Sequence, residues 1–96
     1  MTLDAVVAGR IKQYRLERGL SQEELAAQAG LNRNYVGMIE RQENSPTVTI
    51  LGKLAEVLGI EPMMFLDRAT PLPDPKNPAA GQGAKTARVS RKRRRP

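Results

Sequence analysis

One stretch, Ser21–Glu40, constrains the folding of this chain more than any other: S-Q-E-E-L-A-A-Q-A-G-L-N-R-N-Y-V-G-M-I-E. Ser21 and Glu24 have the spacing of a capping box, in which each side chain satisfies the other's backbone N–H at a helix start. Glu23 and Glu24 also suit the positive end of the helix dipole. Leu25 and Ala29 point to one face, and Ala26 is small. Gly30 supplies the left-handed residue that stops the helix. Leu31 follows as a core plug, and Asn32 as the N-cap of a next helix over residues 33–41. At 100° per residue, Val36, Ile39 and Glu40 fall on one side of that helix. Asn34, Gly37, Met38 and Arg41 fall on the other. The stretch therefore predicts two short helices packed across a tight turn.

The flanking segments read as support for this pair. Val7, Ile11 and Tyr14 recur on one face of a helix over Asp4–Arg18, which Gly19 ends before Leu20 re-enters the core. Beyond the polar loop at 42–46, Thr47 is a good N-cap. Val48, Leu51, Leu54, Ala55 and Leu58 then mark a buried stripe that stops at Gly59. Pro62 suits a first helical position, so Pro62–Leu66 reads as a short fifth helix with Phe65 and Leu66 as core contacts. No stretch alternates as a strand does. The expected fold is all-α: a compact five-helix domain over residues 1–68.

Composition excludes several functions. The 96 residues hold no Cys and no His, which removes disulfides, thiol chemistry and the commonest metal ligand and acid–base group. Plausible carboxylate clusters are lacking too, so the chain is not expected to be an enzyme, and no metal, cofactor or small-molecule ligand is expected. No apolar run approaches the ~20 residues of a membrane span, and no secretory leader is evident. The expected compartment is the cytoplasm.

The net charge of +6 is unevenly placed. Residues 1–68 carry eight basic and nine acidic side chains, a balance of −1. Residues 69–96 carry eight basic side chains and only Asp74, a balance of +7. Pro71, Pro73, Pro75, Pro78, Gly81 and Gly83 break helices there, so this segment reads as a disordered linker and tail. Lys85, Arg88, Arg91, Lys92, Arg93, Arg94 and Arg95 form its basic end. They are either a solvated terminus or an arm that neutralises phosphates without regard to sequence.

Gln22–Glu40 resembles the helix-turn-helix of the Cro / lambda-repressor-like (XRE-type) family of bacterial and phage DNA-binding proteins. Gln22, Leu25, Ala26, Ala29, Gly30, Leu31, Val36 and Ile39 carry the likeness. It extends through R-I-K-Q-Y-R-L-E-R-G-L-S-Q before the motif and I-E-R-Q-E-N-S-P-T-V-T-I-L-G-K-L-A-E-V-L-G-I after it, about Val6–Leu66 in all. The resemblance implies a regulator of transcription, most simply a dimeric repressor, that lays its third helix in the major groove of double-stranded DNA at a palindromic operator. A nucleoid-associated protein of a bacterium or phage is implied. Arg33, Asn34, Gly37 and Met38 match the base-reading positions. Arg33 suits guanine, Asn34 suits adenine, and Met38 suits a thymine methyl. Gln22, Tyr35, Arg41, Asn44 and Thr47 match positions against the DNA backbone. Arg15 and Glu40 match a structural ion pair.

Each assignment has a plainer counterpart. Arg33, Asn34 and Met38 also fit an ordinary solvated helix face, and Tyr35 a half-buried packing residue. Ile50, Val57 and Met64 fit either a widened core or the seam of a homodimer. The loop departs from the family, which usually carries a glycine and a second basic residue after the glutamate–arginine pair; here it reads Gln42-Glu43-Asn44-Ser45. Glu43 would repel phosphate if it faced the groove. Small family members include antitoxins, so an alternative is a protein-interaction module whose tail binds a partner protein.

Overall fold

The structure, a computed structural model, describes residues Thr2–Leu72. Among them are four α-helices: α1 Leu3–Glu17, α2 Gln22–Gln28, α3 Tyr35–Glu40 and α4 Val48–Leu58. A 3-10 helix, Pro62–Leu66, follows them. The basic end of the tail, Lys85–Arg95, lies outside the described residues.

Side-chain caps open three of the helices. The Thr2 hydroxyl accepts from the Ala5 N–H, and that of Thr47 from the Ile50 N–H. At α2 both halves of the predicted capping box form: Ser21 Oγ accepts from the Glu24 N–H at 3.0 Å, and Glu24 Oε1 from the Ser21 N–H at 2.7 Å. Gly19, Gly30 and Gly59 each take a positive φ near 70° just past a helix. After each, an N–H reaches back to close the last turn: Leu20 to Arg15, Leu31 to Ala26, and Ile60 to Ala55. Leu20, Leu31 and Ile60 then rest against the core.

That core gathers Ile11 of α1, Leu25 and Ala26 of α2, Val36 and Ile39 of α3, and Leu54, Ala55 and Leu58 of α4. Phe65 of the 3-10 helix is fully buried against them, its ring 6.2 Å from that of Tyr14. Burying such a ring is worth about 2–3 kcal/mol from area alone. A short, poorly helical segment is thereby held to the bundle.

Four readings of the sequence are corrected. The fifth helix is a 3-10 turn, whose tighter winding seats Phe65 but carries Leu66 outward to 43% exposure. Val48 is 86% exposed, because it begins α4 on the first turn, ahead of the stripe that Leu51, Leu54, Ala55 and Leu58 turn inward. Helix α3 starts at Tyr35, two residues later than expected. The Asn32 side chain instead caps a turn, accepting from the Asn34 N–H at 2.8 Å, while the Tyr35 N–H bonds the Asn32 carbonyl. Gly37 is buried rather than facing outward.

The chain from Asp67 to Leu72 folds back on α1. Arg10 is 2% exposed, and its guanidinium donates to the carbonyls of Asp67 and Thr70. Leu72 lies over Gly9, so close that a Cβ there would sit 2.6 Å from its Cδ1. The described fold thus runs on past Arg68.

Candidate nucleic-acid interface

A buried polar junction fixes how α3 sits on the bundle. Arg15, near the end of α1, grips Glu40 at the end of α3 with two prongs: Nε to Oε2 at 2.7 Å and Nη2 to Oε1 at 3.0 Å. Its third nitrogen, Nη1, donates to the Leu20 carbonyl at 2.9 Å. Gln22, the first residue of α2, adds its amide to Glu40 Oε1 at 2.9 Å. Both charged side chains are at least nine-tenths buried. A buried charge is tolerated only when paired and hydrogen-bonded, and here the donors and acceptors are matched. Three helices are therefore locked at one point, and the start of α3 inherits that rigidity.

Ahead of α3, Arg33 and Asn34 are exposed. They sit in the turn capped by Asn32, just ahead of α3, rather than in its first turn. Tyr35 is half-buried and packs on the core cluster. Met38 is half-buried, and Gly37 lies beneath two side chains. A Cβ on Gly37 would meet Gln22 Oε1 and Arg41 Nη1, each at 3.0 Å. Gly37 is thus a seat for Gln22 and Arg41, not an open gap. Gln22 is turned toward Glu40.

Arg41, the C-cap of α3, pairs with Glu43: Nε to Oε2 at 2.8 Å and Nη2 to Oε1 at 3.3 Å. Both side chains are more than half exposed. The hydrogen bond from Arg41 holds the Glu43 carboxyl below its ordinary range, and the same bond raises Arg41. Between them Gln42 adopts φ 62°, the left-handed conformation, as a non-glycine residue. Asn44 is half-buried and Thr47 exposed, its hydroxyl used at the cap of α4. Arg33 and Asn34 thus precede α3, Arg41 caps its end, Asn44 lies in the loop beyond, and Thr47 opens α4.

Ile50, Val57 and Met64 are all half-buried, and Ile50 and Val57 pack on the core cluster. Val48 and Met63 are the most exposed large apolar side chains among the described residues. Among the described residues no group of three acidic side chains is placed to hold a metal ion, and no helix is long and apolar enough to cross a membrane.

Sequence reasoning missed two features. The Arg10 clasp uses backbone carbonyls far along the chain, which leave no side-chain signature. The Arg41–Glu43 pair joins two residues singled out separately, one for phosphate and one against it; their separation of two across a turn is the only signal.

Four helices, with α2 and α3 packed together across a tight glycine turn, define a helix-turn-helix protein. Residues 11–65 match the helix-turn-helix family, more than half of the chain, and the protein belongs to that XRE-type family. It is 39% identical over 64 residues to the Neisseria hypothetical transcription factor of Neisseria meningitidis, covering 67% of this chain and 60% of that one. It is 37% identical over 68 residues to the control protein C.SmaI of Serratia marcescens, covering 71% of this chain and 81% of that one. Among solved structures it is similar to the master regulator for biofilm formation SinR in complex with DNA: TM-score 0.61, 40% identity, 64% of this chain and 98% of that chain. This chain spans about three fifths of the Neisseria protein's length.

Proposed function

We propose that this protein is a sequence-specific regulator of transcription that binds double-stranded DNA, and that it acts as a dimeric repressor occupying a palindromic operator. Helix α3 enters the major groove. Arg33 and Asn34 read base edges from the turn that leads into it, with Met38 beside them. Gln22, Tyr35, Arg41, Asn44 and Thr47 meet the sugar–phosphate backbone, and Gly37 lets Gln22 and Arg41 lie close to the helix. The observation that carries this reading is the contrast at α3: its far end is locked by the buried Arg15–Glu40–Gln22 junction, while Arg33 and Asn34 at its start are exposed. A guanidinium and an amide on a rigid support are suited to guanine and adenine. The solved relative bound to DNA supports the same reading.

A two-fold dimer would set two such helices about 34–36 Å apart, one turn of DNA. Exposed Val48 and Met63, beside half-buried Ile50, Val57 and Met64, supply apolar surface for that seam. The body of the protein has a balance of −1, so the basic tail supplies long-range attraction to DNA.

The test is substitution on a selected site. Arg33→Ala and Asn34→Ala should each weaken binding by about 1–3 kcal/mol and relax the base preference at one position. Losses of equal size on random duplex would contradict the assignment.

A further inference from the structure

We infer that Glu43 is a built-in competitor of phosphate for Arg41, so that the exit of α3 holds DNA affinity below what its cation alone would give. The inference rests on the DNA-binding reading above and adds a tuning device to that surface.

The geometry is that of a stand-in. A guanidinium offers two parallel N–H groups to a phosphate just as it does to a carboxylate. In the free protein Glu43 occupies both prongs, Nε and Nη2. The third nitrogen, Nη1, lies back over Gly37, 3.0 Å from where a Cβ would stand. Arg41 is therefore folded against its own helix, and a phosphate can take the same two donors only after Glu43 leaves.

Packing does not account for the position of Glu43. The residue after the left-handed position is Leu20, Leu31 or Ile60 at the other three helix ends, and each rests on the core. At α3 it is Glu43, whose N–H bonds the Met38 carbonyl at 2.8 Å while its side chain stays more than half exposed. The preceding Gln42 takes φ 62° without a glycine's freedom. This turn thus keeps the backbone geometry of the other three but exchanges an apolar anchor for an acid aimed at Arg41.

An exposed pair of this kind is weak, so the competition is modest: release of Arg41 changes affinity by about fivefold at most. Each phosphate newly neutralised steepens the log–log salt dependence by about 0.9. Glu43 should therefore set how sharply binding answers to ionic strength.

The test compares the full chain, Glu43→Gln, Arg41→Ala and the double variant on one selected duplex across a salt series. All four should melt alike, since both positions are exposed. Glu43→Gln should bind about three- to fivefold tighter at low salt, with a slope steeper by about one phosphate. Most of that gain should vanish on the Arg41→Ala background. Binding by Glu43→Gln that is unchanged or weaker overturns the inference, as does an equal gain with Arg41 absent. A full chain that binds no duplex overturns the DNA-binding reading itself and this inference with it.

Discussion

Arg15 and Arg41 make the same chemical contact, a two-pronged grip on a glutamate, at the C-terminal end of one short helix. Their surroundings separate them. Arg15 and Glu40 keep 9% and 5% of their side-chain surface, whereas Arg41 and Glu43 keep 56% and 53%. The buried pair is saturated, with Leu20 and Gln22 completing it. It can serve the fold and little else, because any other partner would have to enter the interior. The exposed pair contributes little to folding, since solvent screens it. Its arginine remains exchangeable between partners. Burial, not residue type, divides architecture from recognition here. Arg10 stands between the two: its guanidinium is buried, but its principal acceptors are carbonyls, and the Asp67 carboxylate is 3.8 Å away.

The sharpest way to break this comparison is to remove one partner from each pair. Arg15→Ala leaves Glu40 buried and unpaired and should cost about 3–5 kcal/mol in urea unfolding. Arg41→Ala should stay within about 0.5 kcal/mol of the parent. Similar losses for the two would refute the division.

A smaller effect, of opposite sign, is expected at the turn between Arg41 and Glu43. Gln42 adopts the conformation that Gly19, Gly30 and Gly59 adopt at the other helix ends. Gln42→Gly relieves its strain at some cost in unfolded-chain entropy, for a net gain of about 0.5–1 kcal/mol. Thermal unfolding reads this directly, and a loss would mean that the glutamine side chain itself holds the turn.

The smallest effect concerns the intermediate site. The Thr70 side chain above all, and the backbone N–H groups of Thr70 and Ala69, hold the Asp67 carboxyl below its ordinary range. A depressed carboxylate stabilises the fold above its unfolded value of about 3.9, and that contribution is lost as pH falls through the folded value. The stability difference between the parent and Asp67→Ala should therefore be constant near neutrality and shrink below about pH 4. A difference that grows on acidification would contradict the sign.

Much of the fold was legible because it is local. The Ser21–Glu24 capping box, the glycine stops and the stripe from Leu51 to Leu58 each depend on residues within a turn or two. The Arg15–Glu40 pairing came through the family resemblance, since nothing in a sequence separation of twenty-five announces a contact. Elsewhere, tertiary context prevailed. Phe65 could be seated by a 3-10 turn, which left Leu66 outside. Val48 was apolar but sat on the wrong side of the first turn of α4. Gly37 looked like a gap on an outer face until Gln22 and Arg41 were seen to lie over it. Arg10 gave no sign of burial, because backbone carbonyls are acceptors in every sequence.

The measurement that bears most directly on the account is selection of bound duplexes from a random pool by the full chain, repeated with Arg33→Ala and Asn34→Ala. A two-fold symmetric sequence should be enriched, its half-sites about 10 base pairs apart, with preference relaxed at one position per half-site in each variant. A pool that emerges without a shared sequence, or an unchanged sequence preference in both variants, would contradict it.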